Sequence, residues 1–193
     1  PPLGSPDGLR IVYSVTGKFD DLYVKPALGG NEEVLLHSDQ DKIAESWSAD
    51  GRYLIFEAND RKGATEWDLW ILPLTGDRKP FPYVATRFAE HEGAFSPDGK
   101  WIAYVSDESG KSEVYVAPFP ATGAKWQVST AGGFVGFWNR DGQEVLYVAS
   151  DQTVMSVGVR TSGATIDLAS PRPLFRARDA IGGALSPDGK RIL

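Results

Sequence analysis

The stretch SPDGKWIAYVS, residues 96–106, joins a four-residue turn to a strand of almost uninterrupted apolar residues. Related turns occur at SPDG 5–8, SADG 48–51, NRDG 139–142 and SPDG 186–189. Asp followed by Gly suits a type I turn that ends in a left-handed glycine, a common connection between antiparallel strands. We therefore interpret these turn residues as structural: Asp7, Gly8, Asp50, Gly51, Asp98, Gly99, Asp141, Gly142, Asp188 and Gly189.

The turn glycines recur at intervals of 43, 48, 43 and 47 residues, which is the period of propeller blades or of two-helix solenoids. An aromatic residue stands five positions after each of the first four glycines: Tyr13, Phe56, Tyr104 and Tyr147. Another precedes three of the glycines by four positions: Trp47, Phe95 and Trp138. A third strand follows in three copies as DLYV (21–24), DLWI (68–71) and EVYV (113–116), whereas TVMS (153–156) departs from this pattern.

Helical spacing is not sustained anywhere, and glycines and prolines interrupt every connection. Four short strands per repeat predict an all-β fold, a β-propeller of four-stranded antiparallel blades that pack through these aromatics. A β-sandwich is the alternative, but aromatics at fixed offsets from the turns disfavour it.

The repeats divide the chain into segments of about 6–37, 38–86, 87–130, 131–175 and a partial copy at 176–193. PPLGS (1–5) resembles the remnant of a cleavable expression tag, which leaves 6–193 as one propeller domain or a propeller fragment. The first repeat is expected to lack its innermost strand, because Gly4 occupies the aromatic position, and the C-terminal strand would then close the first of four blades. Alternatively, the chain is part of a larger ring, and its open blade edges pair with a missing segment or with a second copy.

Composition excludes several classes of function. Lys and Arg total 20 against 26 Asp and Glu, so a basic surface for nucleic acid is not expected. The absence of cysteine excludes disulfides and thiolate metal sites. No apolar run reaches the roughly 20 residues that span a bilayer, so we predict no direct membrane insertion.

Catalytic motifs are also absent from the sequence. There is no Gly-x-Ser-x-Gly elbow, and GKS (110–112) lacks the first glycine of a phosphate loop. EHE (90–92) contains residue types that bind zinc or manganese, but a second convergent histidine is not evident, so we expect neither a metal nor another cofactor. Trp67, Trp101 and Trp126 fall at strand edges, where they would pack or form part of a binding surface.

The loops that enter the innermost strands of a propeller converge at the mouth of its central channel. Here they are residues 38–45, 86–93, 130–135 and 176–183. Their charged side chains form the predicted binding rim: Asp41, Glu45, Glu90, His91, Glu92, Arg178 and Asp179. A mainly acidic rim would suit a basic or polar peptide, although each residue alone is also typical of a solvated loop end.

The repeats at 47–74 and 95–120 resemble the WD40-like, TolB-type propeller repeat. Within this family, GDRKPFPYVATRFAEHEGAFSPDGKWIAYVS (76–106) and FWNRDGQEVLYVA (137–149) resemble the C-terminal propeller of acidobacterial-type serine/threonine protein kinases. The resemblance covers the chain from Pro6 onward. The kinase's own Gly-rich loop, His-Arg-Asp and Asp-Phe-Gly motifs are missing, so no catalytic residue is carried over.

The resemblance implies a non-catalytic binding or scaffold module, the sensor or protein-interaction domain of a larger bacterial signalling protein. It implies a protein or peptide partner and favours an extracytoplasmic location. Two other members of the repeat family provide alternatives: the substrate-gating propeller of a prolyl-oligopeptidase-like peptidase, and a TolB-like periplasmic partner-binding protein.

Overall fold

The computed structural model describes residues 2–59, 61 and 67–176, all of them in strands, turns or irregular segments. Among these residues there is no helix that could cross a membrane. The first sheet has the order β1 (Leu3–Gly4), β2 (Arg10–Val15), β3 (Asp21–Pro26), β4 (Glu33–Leu36). The second has the order β5 (Asp41–Trp47), β6 (Tyr53–Asn59), β7 (Asp68–Pro73), β8 (Phe81–Val84).

The third sheet has the order β9 (Glu90–Phe95), β10 (Trp101–Ser106), β11 (Glu113–Pro118), β12 (Trp126–Gln127). The fourth contains β13 (Gly133–Trp138), β14 (Glu144–Ala149), β15 (Thr153–Ser162), β16 (Thr165–Leu168) and β17 (Arg172–Arg176). Each sheet corresponds to one repeat, and in each the first strand in this order is called the inner strand. Contacts divide the chain into two compact units, 1–95 and 96–193, and each is described by itself.

A serine and an aspartate together fix the turn between the first two strands. Ser96 Oγ donates to Asp98 Oδ1 (2.7 Å) and accepts from the amide of Trp101 (3.0 Å). Asp98 Oδ1 also accepts from the amide of Lys100 (3.1 Å), and Gly99 has a φ of +69°, which a residue with a Cβ rarely adopts. Ser5–Asp7 and Ser48–Asp50 repeat these bonds, whereas Asn139 replaces the serine in the fourth copy.

The aromatics at the fixed offset pair across the second and third strands. Tyr13 lies opposite Tyr23, Phe56 opposite Trp70 and Tyr104 opposite Tyr115, with ring centroids 5.8–6.5 Å apart. In the fourth sheet, Tyr147 lies opposite Met155, the residue at which TVMS departs from the repeat. The aromatics at the ends of three inner strands, Trp47, Phe95 and Trp138, are buried.

The first sheet differs from expectation because it has an inner strand of its own. Leu3 lies opposite Val12 and Gly4 opposite Ile11. The ladder uses backbone groups, so the missing aromatic side chain at Gly4 does not prevent pairing. The C-terminal strand predicted to close this sheet lies outside the described residues, as do Asp188 and Gly189.

The outer position of the fourth sheet is shared by two strands. The ten-residue β15 pairs with β16 along Val159–Ser162 and with β17 along Thr153–Ser156. The repeat pattern alone favours one outer strand here, in the weakly patterned ATIDLAS (164–170). The ladder between β14 and β15 stops at Glu144, the first residue of β14, which pairs with Gly158. Beyond this pair, β15 and β16 continue as a hairpin.

Small residues in the inner strands allow close approach to the preceding sheet. A Cβ placed on Gly93 would lie 2.7 Å from Ile55 Cγ2 and 3.2 Å from Leu69 Cδ2, both side chains being fully buried. A Cβ on Gly136 would lie 2.9 Å from Val114 Cγ1. Neither position tolerates a methyl group unless the packed side chains move.

We expect Gly93→Ala to lower the free energy of unfolding by about 1–3 kcal/mol, because overpacking forces buried side chains off their preferred positions. Gly4→Ala is the matched control, since it is also in an inner strand but its Cβ would meet nothing within 4 Å. Urea unfolding monitored by tryptophan fluorescence provides the measurement. Equal stability of the two variants would contradict this account of the packing.

Candidate binding site

One backbone hydrogen bond recurs at the start of the inner strands of the second, third and fourth sheets. The amide of Lys42 donates to the carbonyl of Asp20 (2.9 Å), that of Glu90 to Trp67 (2.8 Å), and that of Gly133 to Ser112 (3.0 Å). In each case the acceptor directly precedes the third strand of the previous sheet. The start of every such inner strand is therefore fixed beside the acidic residue that opens that third strand.

Two of these acidic residues, Asp21 and Glu113, accept hydrogen bonds from the chain around the start of the next inner strand. Asp21 accepts from Lys42 Nζ (2.9 Å), and its other oxygen lies 2.5 Å from His37 Nδ1. Glu113, fully buried, accepts from the amide of Gly132 (2.9 Å) and from Ser129 Oγ. The acid is visible in the sequence at this place in three repeats (DLYV, DLWI and EVYV), but its hydrogen bonds are not.

Two of the predicted rim acids are buried and engaged in hydrogen bonds. Asp41 accepts from the amide of Asp20 (2.9 Å) and from the guanidinium of Arg61, whose Nη2 is 2.6 Å away. The Arg61 hydrogen bond is the main reason why the pKa of Asp41 is lowered. Glu90 accepts from Thr86 Oγ1 (2.6 Å) and from the amide of Thr86 (3.2 Å). Both side chains stabilise the ends of strands.

The other predicted rim residues of the first unit gather around Glu57, which the sequence analysis missed. Glu57, on β6, is 5% exposed and accepts from the amide of Glu92 (2.6 Å). Its second oxygen is 3.4 Å from Nδ1 of His91. Glu92 has a φ of +56°, a left-handed conformation that interrupts the regular alternation of β9 and turns its amide toward Glu57. Arg178 and Asp179 lie outside the described residues.

Glu45 completes this acidic cluster, which we define as Glu45, Glu57, His91 and Glu92. Glu45 is the extra residue of a bulge in β5, since Ala44 pairs with Phe56 and Ser46 with Ile55. Burial, together with the negative charges of Glu57 and Glu92, raises the pKa of Glu45 to about 9. At neutral pH its carboxyl group therefore holds a proton and can donate a hydrogen bond.

Two members of the cluster break the repeat. Glu45 stands where the other two inner strands of full repeats have Gly93 and Gly136. Glu57 stands where the second strands of the other repeats have Ser14, Val105 and Val148. Aligning the repeats could thus have identified Glu57 as a charged residue at a position that needs no charge. Among the described residues, no group of three or more histidines and acids is arranged to hold a metal ion.

No family model matches this sequence, and no curated protein matches it. Several solved structures are similar to it. The chain superposes on TolB from Acinetobacter baumannii with a TM-score of 0.71 and 20% identity, over 99% of this chain and 47% of that one. A putative TolB from Agrobacterium tumefaciens gives a TM-score of 0.70 at 18% identity, over 89% and 64%. A puromycin-hydrolyzing peptidase from Mycobacterium tuberculosis gives 0.67 at 17%, over 98% and 34%.

These similarities confirm the predicted fold class, an all-β protein of antiparallel sheets with the architecture of TolB-like β-propeller domains. The chain spans less than two thirds of each of those proteins. At such identities the likeness concerns the fold alone, because one propeller fold carries many unrelated functions.

Glu45→Gln tests the electrostatics of the cluster through the pH dependence of stability. Because the folded-state pKa, about 9, lies above the ordinary value of 4.5, the folded form holds this proton more tightly than the unfolded chain does. The stability of the wild type should therefore fall as pH rises from about 4.5 to about 9. Gln mimics the protonated carboxyl group, so the variant should match the wild type near pH 4 and exceed it by on the order of 1–2 kcal/mol at pH 8.

Urea unfolding at a series of pH values measures this difference, with Glu33→Gln, on the exposed strand β4, as the control. The prediction fails when Glu45→Gln and Glu33→Gln show the same pH profile as the wild type.

Proposed function

We propose that this chain is a non-catalytic β-propeller module that binds a protein partner through the acidic cluster. The observation that carries the proposal is the break in the repeat at Glu45 and Glu57. The other repeats have glycine, serine or valine at these two positions, so the repeat itself requires neither carboxyl group, although in this copy Glu57 accepts the amide of Glu92.

The cluster places like charges together where they oppose folding. Glu45 retains a proton beside Glu57 and Glu92, and the described imidazole next to Glu57 is that of His91, with Nδ1 at 3.4 Å. Groups that disfavour stability without an architectural role are typical of functional sites. A cationic side chain of a partner would relieve this repulsion, because a nearby positive charge favours the ionised form of Glu45. A basic peptide segment is therefore the class of ligand that the cluster suits.

The similarity to TolB-like propellers supports the general role, a domain that presents strand ends and loops to another protein. We further propose that the parent is a larger bacterial signalling protein of the kinase-associated type, with this module on the extracytoplasmic side. The similarity to a peptidase supports a second candidate function, that of a gating propeller. A kinase domain encoded upstream supports the first proposal, and a Gly-x-Ser-x-Gly hydrolase domain encoded downstream would contradict it.

Proton release on binding provides a direct test of the cluster. The chain is titrated with octalysine by calorimetry at pH 7.5, once in phosphate and once in Tris. The difference between the two heats of binding gives the number of protons released. A bound cation lowers the pKa of Glu45, so binding should release the proton of the Glu45 carboxyl group. The wild type and Glu33→Gln should therefore release more protons than Glu45→Gln. Octaglutamate should give no heat of binding. Equal proton release by Glu45→Gln and Glu33→Gln would overturn the proposed site.

A further inference from the structure

In the second unit, the hairpin of β15 and β16 forms one wall of a surface cleft of about 560 Å³. Val159, Arg160 and Thr161 line this wall. Two Asp-Gly turns line the rest: Ser96 to Asp98 from the third repeat and Asp141 to Gln143 from the fourth. A Cβ placed on Gly142 would lie 3.5 Å from Pro97 Cδ, so the two turns lie close together. Trp101 and Trp138 form the apolar floor of this region, which we call the hairpin cleft.

The wall of the hairpin cleft is a strand edge that has no partner strand among the described residues beyond Val159. The amide of Val159 donates to the carbonyl of Gln143 (2.7 Å), the last backbone bond described on this edge. Backbone groups of alternate residues point to the same edge, so the N–H and C=O of Thr161 point the same way as those of Val159. On the opposite edge, β16 pairs with β15 up to Ser162. In the described chain, the β14–β15 ladder stops at the pair Glu144 and Gly158, so β14 does not lie opposite Thr161.

The charges around the hairpin cleft favour a basic ligand. Arg160 also lines the cleft, and an acid, Asp167, stands opposite it in the hairpin ladder. Asp98 has Lys100 Nζ at 3.9 Å. Asp141 is exposed, its described hydrogen bond comes from the amide of Gln143 (2.9 Å), and no described ion pair within 4 Å engages it, although Arg160 lines the same cleft. The carboxylate of Asp141 is therefore available to a positive group that enters the cleft.

We propose that the hairpin cleft binds an extended segment of a partner protein, which adds to the edge of β15 at Thr161 and places a basic side chain against Asp141. Strand addition uses backbone hydrogen bonds for affinity and a flanking pocket for specificity, and this cleft offers both within a few residues. No residue of this surface belongs to the acidic cluster, so the proposal goes beyond the function proposed above.

The test is an NMR titration of the ¹⁵N-labelled 193-residue chain with the blocked pentapeptide Thr-Val-Lys-Val-Thr. We expect the amide signals of Thr161 and its neighbours and the indole signal of Trp101 to shift. Replacing the peptide's Lys by Glu should weaken binding at least threefold, and Asp141→Asn should have a similar effect, as expected for an exposed charge pair. Asn retains the oxygen that accepts the turn amide, so this variant keeps its fold.

Two variants of one residue isolate the strand edge. Thr161→Pro removes the amide donor at a position where an edge strand tolerates proline, and should abolish the shifts. Thr161→Ala keeps the donor and should bind as the wild type does. Circular dichroism and thermal unfolding verify that both variants fold.

Three outcomes would overturn the proposal: equal binding of the Lys and Glu peptides, equal binding by Thr161→Pro and Thr161→Ala, or shifts at Thr161 that depend on protein concentration without peptide. The last would indicate that a second copy of the chain, not a peptide, occupies the edge. Shifts that respond to Glu45→Gln but not to Asp141→Asn would assign the peptide to the acidic cluster and likewise overturn this site.

Discussion

The hydrogen bond from the start of an inner strand to the carbonyl just ahead of the third strand of the preceding sheet constrains much of the rest of the structure. It occurs at Lys42, Glu90 and Gly133, three residues with nothing in common except their backbone amide. Because the bond needs no particular side chain, the repeat can vary at this position. It does require close approach, and the packing at Gly93 and Gly136 shows how little space remains between one sheet and the next inner strand.

The acids of this protein accordingly fall into two groups. Asp21, Asp41, Glu90 and Glu113 accept hydrogen bonds from amides, hydroxyls or cations at strand ends, and the fold accounts for them. Glu45 and Glu57 stand where other repeats have uncharged residues, and they lie together with Glu92 and His91. Acidity at the start of an inner strand is therefore no guide to binding by itself. Departure from the repeat separates the second group from the first.

The fourth sheet shows how irregularity creates a surface. Its sequence lacks the acid and the aromatic of the third-strand pattern, and Met155 takes the place of the aromatic. The strand is longer than its neighbour β14, and two short strands share its outer edge. The extra length carries Thr161 past the turn at Asp141, so backbone groups that a shorter strand would not possess face the cleft. A regular blade would present no such edge.

The repeat, the Asp-Gly turns and the four-strand pattern follow from the sequence alone. These depend on local backbone conformation and on alternation along a strand, which short stretches encode. Only the tertiary structure showed that Ser96 and its equivalents anchor the turns, that Leu3 and Gly4 form a strand, and that Asp41 and Glu90 are buried. It also brought Glu57 to Glu92 across 35 positions. These features depend on which sheet packs against which strand and on how much water remains between them. The sequence of a single repeat does not determine such long-range distances.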